Sequence, residues 1–332
     1  MENDNLLKPL LFPVGLVGLH TEEFINENNT STTIPVKEYF AVINLRSSEV
    51  FSVVSRGYSL LLNEEAIAIG KSVFVKLFPL VSKDDLIPFN VVASKRLTFC
   101  FIDLVHKDVN FDLWEQETWL PFLRVTNSYN KTYAFTLEIG FVKKLTWSGI
   151  ILDKKTVEVK QAHSGGKDPW KITANISTLQ EAQAEFINYM LNLKRFLVPS
   201  KYILPLILKA LNLKYDFHRF LGNPNSNTIP LKDRKQINEY QSLKNSANGI
   251  FQMHSSSYGE SAFAAFNTII DITNGKGIGI IFSDYASKSR RLNENLSHWI
   301  KDFTDAIDKR SFDFEKYLAE EINYVKRIDK LM

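Results

Sequence analysis

The sequence predicts an α+β fold: a mixed or antiparallel β-sheet with a packed helix, followed by a mostly helical C-terminal part docked on it. Three observations carry that prediction. Up to about residue 175 the apolar segments are short, rich in β-branched and aromatic residues, and bounded by polar turn clusters, as strands are. One stretch in that half repeats its apolar residues at three- and four-residue steps, the period of a helix. From Thr178 onward the helical period takes over. On this pattern the chain divides into an N-terminal segment 1–37, a β-rich α+β domain 38–175 and a helical region 176–332.

Tyr39 to Leu45 and Val50 to Val54 flank Arg46-Ser47-Ser48-Glu49 and read as a hairpin. Leu97 to Leu104, Phe122 to Thr126, Tyr133 to Phe141 and Thr156 to Lys160 continue as strands. The interrupting helix begins at Asn63, which as a cap accepts from a first-turn N–H, with Glu64 and Glu65 where the helix dipole favours negative charge. Its Ala66, Ile67, Gly70, Val73, Phe74 and Leu77 form one apolar face. In the C-terminal region Thr178 and Glu181 have capping-box spacing ahead of Ala182, Phe186, Tyr189, Met190 and Leu193. Further helices are expected from Ser200 to Leu213, Leu231 to Leu243 and Glu260 to Ile272, and over most of Arg290 to Leu331 with a break near Arg310-Ser311.

The 332 residues give ample chain for a core, and 45% hydrophobic residues with 24 Phe match a packed globule. A net charge of +3, from 40 Lys+Arg against 37 Asp+Glu, means that any basic surface is local. The single cysteine, Cys100, sits in an apolar run and cannot form an intrachain disulfide, which suits a reducing, cytoplasmic compartment. Leu10 to Leu19 is interrupted by Pro13, Gly15 and Gly18 and reads as neither signal peptide nor membrane span.

Familiar catalytic signatures are missing: no glycine-rich phosphate loop, no Gly-x-Ser-x-Gly elbow, no histidine pair at metal spacing. Gly275-Lys276-Gly277-Ile278-Gly279 follows a helix, the reverse of the order a nucleotide loop needs, and reads as a helix end and turn. The expectation is therefore no cofactor, no metal and no catalytic residues, unless a site is assembled from distant segments. A local charge bias lies between Phe141 and Lys171. Lys143, Lys154, Lys155, Lys160 and Lys167, with Trp147 and His163 among them, are the candidate nucleic-acid-binding residues, since cations track phosphates while aromatics stack on bases. The alternative is a solvated lysine-rich edge that discourages aggregation. Lys143 and Lys144, adjacent on a strand, point to opposite faces.

Three stretches together resemble one family. Val53-Val54-Ser55-Arg56-Gly57-Tyr58 followed by Asn63-Glu64-Glu65-Ala66 is similar to the opening motif of the phage/plasmid-like proteins, catalogued as domain of unknown function 932. Leu123-Arg124-Val125-Thr126-Asn127-Ser128-Tyr129, continuing to Gly140-Phe141-Val142 and Gly149, resembles that family's Asn-Ser-aromatic turn and following strands, and His163 falls where the family tends to carry a histidine. Ala262 to Asp271, around Asn267, resembles its C-terminal helix. The likeness spans about residues 38 to 280. It departs at Asn130-Lys131, where the family has Asp-Gly, and at Thr146-Trp147-Ser148-Gly149, where it has Cys-x-Asn-Gly.

The resemblance implies a bacterial protein carried on a mobile genetic element, and brings no biochemical activity with it. The motif positions Ser55, Arg56, Tyr58, Asn63, Asn127, Ser128, Tyr129, Gly149 and Asn267 have no assigned role; turns, bulges and a helix tie are their structural duties, and recognition at a loop tip the alternative. The leading functional expectation is a non-catalytic accessory protein that binds nucleic acid, DNA in preference and single strands in particular. The competing classes are a nuclease-type enzyme built from distant residues and a protein-interaction or assembly component, with self-association through the C-terminal helices. A carboxylate cluster in a cleft would favour the enzyme, and an exposed apolar face the interaction component.

Overall fold

The computed structural model describes residues 4–25, 31–115, 117–151, 157–161, 170–215, 230–274 and 285–330. The fold is α+β, with antiparallel sheets in the N-terminal half and helices dominating the C-terminal half. It comprises two compact units, each drawn from three stretches of chain. The first is Met1–Asn110, Leu120–Ile139 and Lys155–Leu179; the second is Phe111–Trp119, Gly140–Lys154 and Gln180–Met332.

The first unit opens with a short helix α1 (Asp4–Leu7) and a 3-10 turn, then β1 (Val14–His20), β2 (Phe24–Ile25), β3 (Ser31–Thr32), β4 (Pro35–Asn44) and β5 (Val50–Ser55). β1, β4 and β5 form an antiparallel three-stranded sheet in that order, so the 1–37 segment contributes a strand to the β region. The hairpin around Arg46–Glu49 forms where the alternation of β-branched residues stops, and Asn44 closes it by accepting from the Arg46 N–H at 2.9 Å.

Next comes α2 (Asn63–Leu77), which buries Ala66, Ile67, Gly70, Val73, Phe74 and Leu77, the face its spacing predicts. Gly70 allows close approach to the sheet: a Cβ there would lie 2.6 Å from Val125 Cγ2. The N-terminus of α2 departs from expectation. Leu62 is the capping position, its N–H donating to Glu65 Oε2 at 2.9 Å, while Asn63 is the first helical residue and turns inward.

β6 (Ile87–Ala93) and β7 (Phe99–Val105) follow, then β8 (Phe111–Trp114), β9 (Glu117–Ser128), β10 (Thr136–Lys143) and β11 (Gly149–Ile151). This second sheet runs β11-β10-β9-β7-β6, with β8 paired to the start of β9. β9 and β10 contribute residues to both units. β12 (Val157–Gln161) and β13 (Trp170–Ala174) form an antiparallel pair. Every residue of β7 is buried, which suits a strand paired on both sides and covered by α2. Arg124 and Asp103 lie opposite each other in β9 and β7 and form a buried bidentate ion pair at 2.6 and 2.7 Å.

The helices are α3 (Ile176–Arg195), α4 (Ile203–Ala210), α5 (Leu231–Tyr258), α6 (Ala262–Thr273), α7 (Tyr285–Ile307), α8 (Phe314–Tyr317) and α9 (Ala319–Asp329). Asn175, rather than Thr178, caps α3 by accepting from the Thr178 N–H at 3.2 Å. α5 continues well past Leu243 through Gly249, because buried Ala247, Ile250 and Phe251 outweigh the roughly 1 kcal/mol that a helical glycine costs. It ends at Gly259, whose φ of +69° lies in the left-handed region glycine tolerates. In the second unit's core Phe186 packs edge-on to Trp119 and tilted against Phe141 at ring separations of 5.0 and 4.8 Å, and Leu292, Leu296, Ile300 and Phe303 of α7 are fully buried. Among the described residues, no helix is long and apolar enough to cross a membrane.

Candidate functional site

The sequence motif around Asn63 and Asn127 converges on one buried network in the first unit. Asn127 Nδ2 donates to Asn63 Oδ1 at 2.8 Å and to the Leu61 carbonyl at 3.0 Å. Asn63 Nδ2 donates to the Leu10 carbonyl at 3.1 Å, and its backbone N–H donates to the Tyr129 hydroxyl at 2.9 Å. Cys100 Sγ reaches Asn63 Oδ1 at 3.5 Å. Burial pushes the Cys100 thiol up to about 12, against a smaller lowering by the Asn127 backbone, and burial also raises Tyr129. Ser128 Oγ donates to Asn130 Oδ1 at 3.0 Å and organises the following turn, in which Lys131 has φ +61°. These side chains fasten α2 and the N-terminal turn to the sheet through bonds to one another and to the Leu10 and Leu61 carbonyls.

The remaining motif residues lie at the end of β5 and in the second unit. Ser55 and Arg56 are exposed, the Arg56 N–H donating to the Glu38 carbonyl at 2.9 Å, and Tyr58 is half-buried against Val14, Val42, Phe51 and Val54, where burial raises its hydroxyl. Asn267 is buried and donates to the Phe263 carbonyl of its own helix at 2.8 Å, so it ties no neighbouring loop. The Gly149 carbonyl accepts from Asn274 Nδ2 at 3.0 Å.

The lysine stretch does not present Lys143 to solvent. That side chain is buried in the second unit, where its ammonium lies 3.1 Å from Glu117 Oε2 and contacts the Tyr258 hydroxyl and ring face. Glu117 also accepts from Tyr258 at 2.7 Å and from Trp119 Nε1 at 2.9 Å. Burial raises the Tyr258 hydroxyl, and the Glu117 carboxylate adds to that rise. A lysine held this way is not available to a phosphate, whereas its neighbour Lys144 lies past the end of β10, in the turn, and is exposed for that reason rather than by strand alternation. Trp147 is half-buried in the β10–β11 turn with φ +56°. Lys154, Lys155, His163 and Lys167 lie outside the described residues, as does the Lys160 side chain, although its backbone is part of β12.

One helical turn before Tyr258, His254 Nε2 lies 2.8 Å from Asp271 Oδ2, and Ser148 Oγ donates to Asp271 Oδ1 at 2.6 Å. The three residue types are those of a hydrolytic triad, but the connectivity is different. In a triad the serine bonds the histidine, whereas here its proton goes to the carboxylate, so it has no base to activate it. No local pattern in the sequence points to this cluster, whose members come from three separate segments. Among the described residues no three His, Cys, Asp or Glu side chains gather as a metal site.

One face of the β1-β4-β5 sheet carries several exposed apolar side chains. Register puts Val17, Ala41 and Val53 in one row and Ile43 beside Val50 in the next, with Tyr39 opposite Ser55. Val17, Tyr39, Val50 and Val53 are each 42–51% exposed, and Leu45 at the adjoining turn is 54% exposed. Together they leave on the order of 400 Å² of apolar side chain bare, a size at which a surface patch commonly marks an interaction site. Exposed Lys37, Arg46 and Lys131 border it, while Glu38 and Arg56, which follow the register to the other side, alternate to the opposite face and Glu49 pairs with Arg96. The edge of β5 is guarded: Lys131 Nζ donates to the Val53 carbonyl at 2.9 Å and Arg96 Nη2 to the Val50 carbonyl at 3.2 Å.

No family model, no curated protein and no solved structure matches the chain. The functional case therefore rests on two arrangements within the chain: a closed polar cluster in the second unit and an open apolar face with a cationic border in the first.

Proposed function

We propose that this chain is a non-catalytic binding protein whose recognition surface is the exposed face of the β1-β4-β5 sheet, and that its partner is a protein presenting an apolar strip bordered by carboxylates. The observation that carries this is the exposed pair Val17 and Val53, which flank the buried Ala41 in register, together with exposed Tyr39 and Val50 and bordered by cations. Covering about 400 Å² of it is worth roughly 10 kcal/mol before the costs of association. A second copy of the chain fits poorly, because a two-fold contact through this face brings Lys37, Arg46 and Lys131 against their own counterparts. Nucleic acid satisfies the cations, but Tyr39 is the single aromatic on the face, and the aliphatic residues offer no platform for stacking. On the resemblance to phage/plasmid-like proteins, the partner is sought among products of the same mobile element.

The test uses the full chain with a photo-crosslinking residue in place of Tyr39, produced in its source cells. A single acidic protein crosslinked there, and lost when Val17→Glu and Val53→Glu are combined without a change in melting temperature, supports the proposal. A crosslinked homodimer overturns it. So does micromolar binding of single- or double-stranded DNA or RNA that the same two substitutions abolish, which returns the function to nucleic acid.

A further inference from the structure

A second site lies in the first unit, independent of the sheet face. The end of α2, the segment that follows it and the β7–β8 loop enclose a cleft of about 600 Å³. Phe78, Val81 and Val109 give it apolar walls, and His106, Asp85 and Asp108 supply the polar groups. His106 is 4% exposed. The backbone N–H of Asp108 donates to His106 Nδ1 at 3.2 Å. Nδ1 is thus the acceptor nitrogen, and in the neutral ring the proton sits on Nε2. Nε2 faces Asp85 Oδ2 at 4.0 Å, beyond a direct hydrogen bond. Asp85 itself is two-thirds exposed at the rim.

We infer that this cleft binds a small molecule with an apolar body and a neutral head group that both accepts and donates a hydrogen bond, a hydroxyl or a primary amide. A separation of 4.0 Å is spanned by one hydroxyl oxygen that accepts from His106 Nε2–H and donates to Asp85, or by an amide whose oxygen accepts from His106 and whose N–H donates to Asp85. A carboxylate head accepts but does not donate, and it meets two aspartates. A transition metal is refused by the same geometry, because the nitrogen facing the cleft carries the proton. Phe78, Val81 and Val109 then cover the body, the division of labour usual in small-ligand sites.

The probes are phenylacetamide, 2-phenylethanol, phenylacetate and ethylbenzene, titrated into the full chain and followed by NMR of the histidine side-chain nitrogens. The amide and the alcohol should bind at millimolar concentration and perturb the His106 signal, with phenylacetate and ethylbenzene at least about tenfold weaker, the loss expected for one missing hydrogen bond. His106→Phe should weaken the amide about tenfold. If that variant fails to fold, the exposed Asp85→Asn carries the test, and it should narrow the gap between phenylacetate and phenylacetamide. Equal or tighter binding of phenylacetate by the unmodified chain refutes the inference, as does the absence of binding by all four probes at about 10 mM.

Discussion

Replacing Asn63 by leucine tests whether the buried amide network holds the first unit together. The leucine matches the amide roughly in size but offers neither donor nor acceptor. Three groups then lose a partner: the carbonyl of Leu10, a residue 1% exposed, one hydrogen of the Asn127 amide, which keeps its bond to Leu61, and the Cys100 thiol, a weak donor that adds little. A buried group stripped of its partner costs about 1–3 kcal/mol. With the Leu10 carbonyl in the middle of that range and Asn127 at its lower end, the loss is about 3 kcal/mol, or roughly 6–12 °C in melting temperature for a unit of this size. Urea denaturation followed by pulse labelling of Cys100, which lies in the first unit, reads the change where it occurs. Asn127→Leu completes a double-mutant cycle, and direct contact at 2.8 Å calls for a coupling of about 1–2 kcal/mol. A single-mutant cost below about 0.5 kcal/mol together with simple additivity would refute the network's role.

Two further outcomes are expected. Lys143→Met should destabilise the second unit by about 3–5 kcal/mol, because it strands the Glu117 carboxylate without its cation; an unchanged melting temperature combined with weakened nucleic-acid binding would return this lysine to the surface. Cys100, raised from the ordinary 9.0 to about 12, holds its proton more tightly in the folded chain, so its contribution is complete below pH 9 and is lost as pH climbs toward 12, by up to about 1.4 kcal/mol per pH unit. Native protein should therefore resist thiol reagents at pH 8, and Cys100→Ala should show a shallower fall of stability between pH 9 and 12; rapid labelling of the native chain at pH 8 contradicts this.

Much of the architecture is legible in the sequence because it depends on neighbours a few residues apart. The Arg46–Glu49 turn stands out between two β-branched runs, and α2 displays its buried face in its spacing. Asn63 shows where such local reasoning stops. An asparagine just ahead of a helical period is a good cap, but nothing local reveals that Leu10, Cys100 and Asn127 wait for its amide on the inner side. Lys143 fails in the same way, since a count of lysines cannot show that Glu117 and Tyr258, both remote in sequence, close around one of them. The apolar face of the β1-β4-β5 sheet needs the register of three strands before Val17, Ala41 and Val53 fall into one row, and alternation within any one strand does not supply it.

The interleaving of the two units bears on how the chain is made. It passes from one unit to the other after Asn110, Trp119, Ile139, Lys154 and Leu179, and then stays in the second to the end. During synthesis the first unit cannot close until its last strand pair and the start of α3 have left the ribosome, when more than half of the chain already exists. The β8 strand, made earlier, must wait exposed for the helices that complete its own unit. A nascent chain of this design therefore carries unfinished strands of both units at once, and a message truncated before Leu179 yields neither.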